Sequence, residues 1–263
     1  MPGAPSVRAM LLAHELVGSG SAPSLVLIHG ITESHLAWAP LIDELAGTHQ
    51  VLAVDLRGHG HSVDIYGYDP QTYARDVIET AEALGVENPV VVGHSLGGVV
   101  ATAYAALAAC RGVVNVDQPL QLAAFKDSLA QLEPLLQGSE EEFAQAIAMV
   151  FQAMDGPLPR AEQARLAQVR QPLQHVVLGT WETVFESSPE QLDAMAAELA
   201  AKVTVPYLSL HGSDPGPEYA DWLYRQIPAA TLEVWADSGH YPHLVHPARF
   251  LARLAEFEAS LPG

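Results

Sequence analysis

The chain has 263 residues, 49% of them apolar, and 12 basic against 31 acidic side chains, a formal net charge of −19. Such a surface repels phosphate backbones and anionic bilayers, which excludes nucleic acid and membranes as expected partners. The lone cysteine, Cys110, excludes an internal disulfide and fits a reducing compartment.

Residues 1–20 contain no basic stretch followed by a sustained apolar run, so no signal peptide and a cytoplasmic location are expected. Residues 9–17 read as an antiparallel edge strand. Short apolar runs at 25–28, 50–55, 89–93 and 112–117 follow, and two more lie at 206–211 and 231–236. They are apolar on both faces, as parallel strands covered above and below must be. Helical patterns fall between and after them, at 39–47, 69–84, 96–109, 217–226 and 247–261. Asp69 with Pro70 is a start signal, and Gly85 is a stop. The run at 97–110 is the longest apolar-rich stretch and is too short to span a bilayer. This alternation predicts an α/β fold, a doubly wound and mostly parallel sheet flanked by helices.

The rhythm breaks after Pro119. Up to Lys202 the chain is rich in Ala, Leu, Gln and Glu, and prolines 134, 157, 159, 172 and 189 divide it into four or five short helices. The expected organisation is a core domain of residues 1–118 and 202–263, with residues 119–201 as a helical cap inserted after the sixth strand. Such a cap would lie over the carboxyl edge of the sheet, where open α/β sheets bind ligands.

Gly93-His94-Ser95-Leu96-Gly97 follows the valine run at 90–92 and opens an Ala-rich helix. This is a G-x-S-x-G elbow in its strand–turn–helix setting. A tight turn there holds the Ser95 hydroxyl clear of the sheet, beside the free N–H groups and positive dipole of a helix N-terminus. Ser95 is therefore the candidate nucleophile.

With the elbow stand Leu27-Ile28-His29-Gly30 and Trp38, the run Asp55-Leu56-Arg57-Gly58-His59-Gly60-His61-Ser62, Tyr73 with Asp76-Val77, and a closing Gly239-His240-Tyr241-Pro242-His243. In this order the motifs resemble the α/β-hydrolase superfamily, in its capped serine esterase-like branch, over nearly the whole chain. The resemblance implies oxyanion donors at the backbone N–H groups of Ile31 and Leu96, and His240 as the base. It places the acid at Asp214, in the loop after the second-to-last strand; that loop is one residue shorter than is usual in the family. The alternative acid is Asp117, at the end of the strand before the cap, and Glu218 is a more distant one. The order Ser, Asp, His is met by Asp214 and Asp117 alike.

His243 and His246 have metal-like spacing, but no cysteine or acidic partner completes a ligand set, so no metal is expected. The implied chemistry is two-step acyl transfer on an ester by Ser95, His240 and Asp214, with no metal or organic cofactor. The expected partner is a small-molecule ester, and the expected state a monomer or small homo-oligomer. The pocket between sheet and cap is expected to involve Trp38, His94, Met149, Phe151, Trp181 and Phe185, an apolar set suited to small or medium apolar substrates. Carbon–carbon bond hydrolysis, lactonase and cofactor-free perhydrolase chemistry use the same residue types, although the glycine- and proline-rich oxyanion loop of the first is replaced here by Ile31-Thr32-Glu33-Ser34-His35. A small-molecule receptor of weak or no activity is the reading from another class, because fold alone never establishes catalysis.

Overall fold

The computed structural model of the chain describes residues 11–262. Five apolar runs form strands in which every residue is buried: β2 (Ser24–Ile28), β3 (Gln50–Val54), β4 (Val90–His94), β5 (Gly112–Val116) and β6 (Tyr207–His211). The edges, β1 (His14–Val17) and β7 (Ala230–Val234), are partly exposed. The strand order is β1-β3-β2-β4-β5-β6-β7, with β1 antiparallel to β3 and every other pair parallel. The expected edge strand is thus present over its second half, and Ala9 and Met10 lie outside the described residues.

Successive residues of each strand feed opposite cores. Leu25, Leu27, Val51, Val90, Val92 and Val114 pack with Leu41 and Leu45 of α1 (Ala39–Ala46) on one face. Val26, Ile28, Leu52, Val91 and Val113 pack on the other, with Tyr73 and Val77 of α2 (Pro70–Ala83) and Val100 of α3 (Leu96–Leu107). Burying each such aliphatic side chain is worth about 1.5–3 kcal/mol, and the two-residue period makes a register slip expose an entire face. α2 begins where the sequence signals it: Asp69 accepts a hydrogen bond from Thr72 N at 2.9 Å, and Gly85 adopts φ 68° just beyond the end.

The helical segment between β5 and β6 runs from α4 (Ala123–Leu129) through α5 (Glu133–Leu136), α6 (Glu140–Met154), α7 (Arg160–Val169) and α8 (Gln174–Glu186) to α9 (Pro189–Ala200). It comprises six helices, more than the proline count suggests. The extra boundary is the capping box of Ser139 with Glu142, which starts α6 without a proline. The expected insertion point is corrected as well: counted from β1 among the described residues, the helical segment follows the fifth strand. It has its own apolar centre, in which Leu136, Phe143, Val150 and Phe151 meet Val177 and Trp181. After β6 come α10 (Pro217–Gln226), then β7, α11 (Pro242–Val245) and α12 (Pro247–Ala259), whose Phe250 and Phe257 close the first core. No helix among the described residues is long and apolar enough to cross a membrane.

This topology positions the site. The chain leaves β2 for β3 on one side and returns to β4 on the other, and such a switch point opens a crevice at the carboxyl ends of the strands. Gly30 and Ile31 leave β2 there, and Ser95 leaves β4.

Candidate active site

Ser95 sits between β4 and α3 with φ 52° and ψ −123°, a conformation that costs a non-glycine residue roughly 1–3 kcal/mol. Its surroundings enforce it. A Cβ at Gly97 would collide with the Ile28 carbonyl, so only glycine lets α3 start this close to β2. The Ser95 N–H donates to Val116 O at 3.0 Å, which ties the turn to β5. The hydroxyl is left half-buried at the first turn of α3, on a cavity of about 610 Å³.

His240 reaches the same cavity from the loop after β7. Its Nδ1–H donates to Asp117 Oδ2 at 2.7 Å, which leaves Nε2 as the nitrogen free to exchange a proton. Asp117 ends β5 with φ 54°, and its Oδ1 accepts from Gly212 N at 2.8 Å. A Cβ at Gly212 would strike the Gly239 carbonyl; the loops after β6 and β7 therefore touch, and this contact brings the imidazole to the carboxylate. Burial pushes the Asp117 carboxyl up, but the hydrogen bond and charge of His240, with the Gly212 N–H, outweigh it and hold it below the ordinary carboxylate value.

The geometry corrects the expectation for the acid. Asp214 is exposed, and its Oδ1 accepts from Gly216 N at 2.8 Å within its own loop. That short loop turns back on itself ahead of α10 and does not carry a carboxylate to His240. Asp117 holds the position instead.

The loop after β2 faces Ser95. His29 is locked in one tautomer, with Leu56 N donating to its Nε2 at 3.0 Å and its Nδ1–H donating to Gly30 O at 2.7 Å. Ile31 and Leu96 both line the cavity, and among the described residues neither backbone N–H has an internal acceptor. Phe151 and Trp181 line it too, with Phe125, Val150, Met154 and Val184.

Four of the expected pocket residues lie elsewhere. Trp38 is fully buried under the first core, its ring 4.8 Å from that of His243. His94 is buried behind the elbow, where its Nε2–H donates to the His240 carbonyl at 2.8 Å. Met149 points outward, 49% exposed. Phe185 packs edge-on behind Trp181, 6.3 Å between ring centres. For Met149 and Phe185, membership of the helical segment 119–201 does not say which side of a helix faces the sheet. His243 is also a core side chain, between Trp38, His94 and Phe250.

One group has no counterpart in the sequence reading. Glu33, 1% exposed, lies in the loop after β2 that carries Gly30 and Ile31. Its Oε2 accepts from Gly30 N at 3.2 Å and its Oε1 from the Tyr241 hydroxyl at 2.8 Å. Arg170, at the end of α7, approaches Oε1 to 3.9 Å, donates to the same hydroxyl at 2.7 Å, and makes a two-pronged pair with Asp155 at 2.8 and 2.6 Å. Burial pushes the Glu33 carboxyl up; the adjacent His94, the Arg170 charge and the Tyr241 hydroxyl outweigh it, and the group sits far below its ordinary value. Glu33, Asp155, Arg170 and Tyr241 are too far apart in sequence for any spacing rule to connect them. The one available signal was a carboxylate in a loop bounded by Gly30 and Trp38.

A seven-stranded mostly parallel sheet, an elbow serine at its switch point and a carboxylate-held histidine define an α/β hydrolase. The model of the alpha/beta hydrolase family matches residues 25–253, and the chain belongs to that family. It is 28% identical over 256 residues to the pimeloyl-[acyl-carrier protein] methyl ester esterase of Vibrio atlanticus (strain LGP32), covering 91% of this chain and 95% of that protein. Among solved structures, esterase RhEst1 from Rhodococcus sp. ECU1013 superposes with TM-score 0.73 at 25% identity, over 96% of this chain and 98% of that one. The esterase EaEST from Exiguobacterium antarcticum shares the fold, with TM-score 0.79 at 20% identity over 95% of this chain and 96% of that one.

Proposed function

We propose that this chain is a serine esterase that cleaves carboxylic esters of small to medium, uncharged and largely apolar substrates, with Ser95 as nucleophile, His240 as base and Asp117 as acid. The observation that carries the reading is the Asp117–His240 hydrogen bond of 2.7 Å at a cavity shared with the strained Ser95. The esterase names of RhEst1 and the Vibrio protein support the reaction type.

In this mechanism His240 Nε2 takes the Ser95 proton as the oxygen attacks the ester carbonyl. The negative charge that develops on the carbonyl oxygen is met by the N–H groups of Ile31 and Leu96 and the N-terminal dipole of α3; one such donor is worth roughly 100- to 1000-fold in rate. Asp117 stabilises the imidazolium and fixes its tautomer. The imidazolium then gives its proton to the departing alkoxide, and a water activated by the same nitrogen releases the acid and restores Ser95. Among the described residues, the charged groups lining the cavity besides Asp117 are Asp193 and Glu218, with no lysine or arginine. An anionic ester would meet only like charge there, whereas an uncharged one fits walls built from Leu122, Phe125, Phe151 and Trp181.

The test is hydrolysis of p-nitrophenyl butyrate by wild type and Ser95→Ala, with fluorophosphonate labelling and location of the labelled residue. Turnover and labelling that both vanish in Ser95→Ala are the expected result. Turnover that survives in the variant, or a wild type that binds the ester without cleaving it, refutes the proposal.

A further inference from the structure

Glu33 does not line the cavity, yet it is a buried carboxylate behind the Gly30–Ile31 loop that does, and its partners come from three separate regions. Gly30 belongs to the loop that carries the Ile31 amide. Tyr241 is the neighbour of His240. Arg170 and Asp155 belong to the cap, and Gln171 N, next in the chain, donates to Thr32 O of the same loop at 2.7 Å. The Arg170 guanidinium also lies 4.1 Å from the centre of the Phe151 ring, which faces the cavity from its other side.

Stability alone is a poor explanation for this arrangement. Desolvating a carboxylate and a guanidinium costs several kcal/mol each, and well-packed apolar side chains of similar volume commonly do as well or better. What a hydrogen-bonded buried charge supplies, and an apolar contact does not, is fixed direction. Here the fixed atom is Gly30 N, one residue before the Ile31 amide.

We infer that Glu33 is a positioning residue that locks the oxyanion loop to the His240 loop and, through Arg170, to the cap, so that a docked cap and a formed oxyanion hole are one structural state. The inference rests on the serine esterase reading for its kinetic consequence, though not for its structural one. Glu33 Oε2 sets the direction of the Gly30 amide and hence of the next one. Glu33 Oε1 and Arg170 share the Tyr241 hydroxyl, which donates to the first and accepts from the second, so that single group registers loop, base and cap against one another. Glutamine at 33 keeps the volume but removes the charge that Arg170 faces. It also offers one carbonyl oxygen where two carboxylate oxygens now accept, so either Gly30 N–H or the Tyr241 hydroxyl meets an amide donor.

The experiment uses the full chain with Glu33→Gln and, as a milder variant that removes one hydroxyl and leaves the packing, Tyr241→Phe. Three quantities are read: kcat and KM on p-nitrophenyl butyrate, affinity for phenylboronic acid (which adds to a serine hydroxyl and presents an oxygen to the oxyanion donors), and hydrogen exchange of peptides covering residues 30–36 and 155–172. The expected result for Glu33→Gln is a fall in kcat of about 30- to 300-fold, a KM within about threefold, an equal fall in boronate affinity, and faster exchange in both segments together. Tyr241→Phe follows in the same direction by about 3- to 10-fold. A purely structural role would lower Tm while leaving kcat and boronate affinity of the folded protein within about threefold, and that result overturns the inference. If the wild type neither turns over ester nor binds boronate, the esterase reading fails by itself. Exchange then decides: coupled loosening of both segments upholds the lock, and unchanged exchange, or loosening of one segment alone, refutes it.

Discussion

Replacing Asp117 by asparagine preserves size and shape and removes two things, the negative charge and the ability to accept two hydrogen bonds at once. The carboxylate now accepts from His240 Nδ1 at 2.7 Å and from Gly212 N at 2.8 Å. An amide can satisfy only one of them. If its oxygen stays on Gly212 N–H, its NH2 confronts Nδ1, and the imidazole must carry its proton on Nε2, pointing at Ser95 instead of accepting from it. If the amide flips, two donors face each other at Gly212. The imidazolium of the transition state also loses its counter-charge, worth about 4 kcal/mol for unit charges some 4 Å apart at an effective dielectric near 20, or about three powers of ten in rate. The tautomer penalty adds to this, and the corresponding change in a serine protease triad costs about 10⁴-fold in kcat. We therefore expect Asp117→Asn to lower kcat by about 10³- to 10⁴-fold with little change in KM. Asp214→Asn, whose amide oxygen can still accept from Gly216 N within its own exposed loop, should remain within about twofold. Both are measured by p-nitrophenyl butyrate hydrolysis on protein shown to be folded by its melting curve. An Asp214→Asn enzyme more impaired than Asp117→Asn, or an Asp117→Asn enzyme retaining a tenth of wild-type kcat, would refute the reasoning.

Two further outcomes concern the fold. Gly97→Ala drives a methyl into the backbone carbonyl of Ile28, which cannot yield without separating α3 from β2. We expect loss of soluble protein or destabilisation by at least about 3 kcal/mol, while Gly156→Ala, which meets open space, stays within about 0.5 kcal/mol; urea unfolding curves decide. Acid should destabilise the protein early. Burial pushes His211 down to about 4 and His59 down to about 3, so below the ordinary value of 6.5 the unfolded chain takes up protons that the folded chain refuses. Stability is then lost as pH falls from 6.5, by about 1.4 kcal/mol per pH unit for each buried histidine. Asp117 and Glu33, both held low, lose their contributions only further down, as pH falls through their lowered values. His35 and His49, raised by Asp55 and Glu258 respectively, contribute fully below 6.5 and lose that contribution only as pH rises through their folded values, so they do not oppose the acid trend. A fall of Tm between pH 6 and 5, flattened in His211→Gln, is the expected result, and a flat Tm over that interval contradicts it.

Much of this architecture is local in origin and therefore readable along the chain. A strand buried on both faces must be an unbroken apolar run, and the runs at 25–28, 50–55, 89–93, 112–117, 206–211 and 231–236 all coincide with strands to within two residues. The sharp turn at Ser95 was legible because it is a property of five consecutive residues, and the place of His240 at the same cavity because its flanking motif is equally short. The pocket fared differently. Phe151 and Trp181 line the cavity, whereas Met149, only two residues from Phe151, faces outward. Composition marks out the helical stretch between β5 and β6, but the roll of each of its helices depends on what it packs against.

The amino-acid order thus determined the parallel sheet, the strained turn at Ser95 and the approximate seat of His240, because each depends on neighbours within a few positions. Tertiary structure decided which carboxylate meets that histidine and what stands behind the loop after β2. Asp117 and His240 are 123 positions apart, and Glu33 and Tyr241 are 208 apart. Such pairs form only once the loops after β2, β5, β6 and β7 are stacked at one edge of the sheet. The contact between Gly212 and Gly239 that stacks them has no period, no composition bias and no local motif.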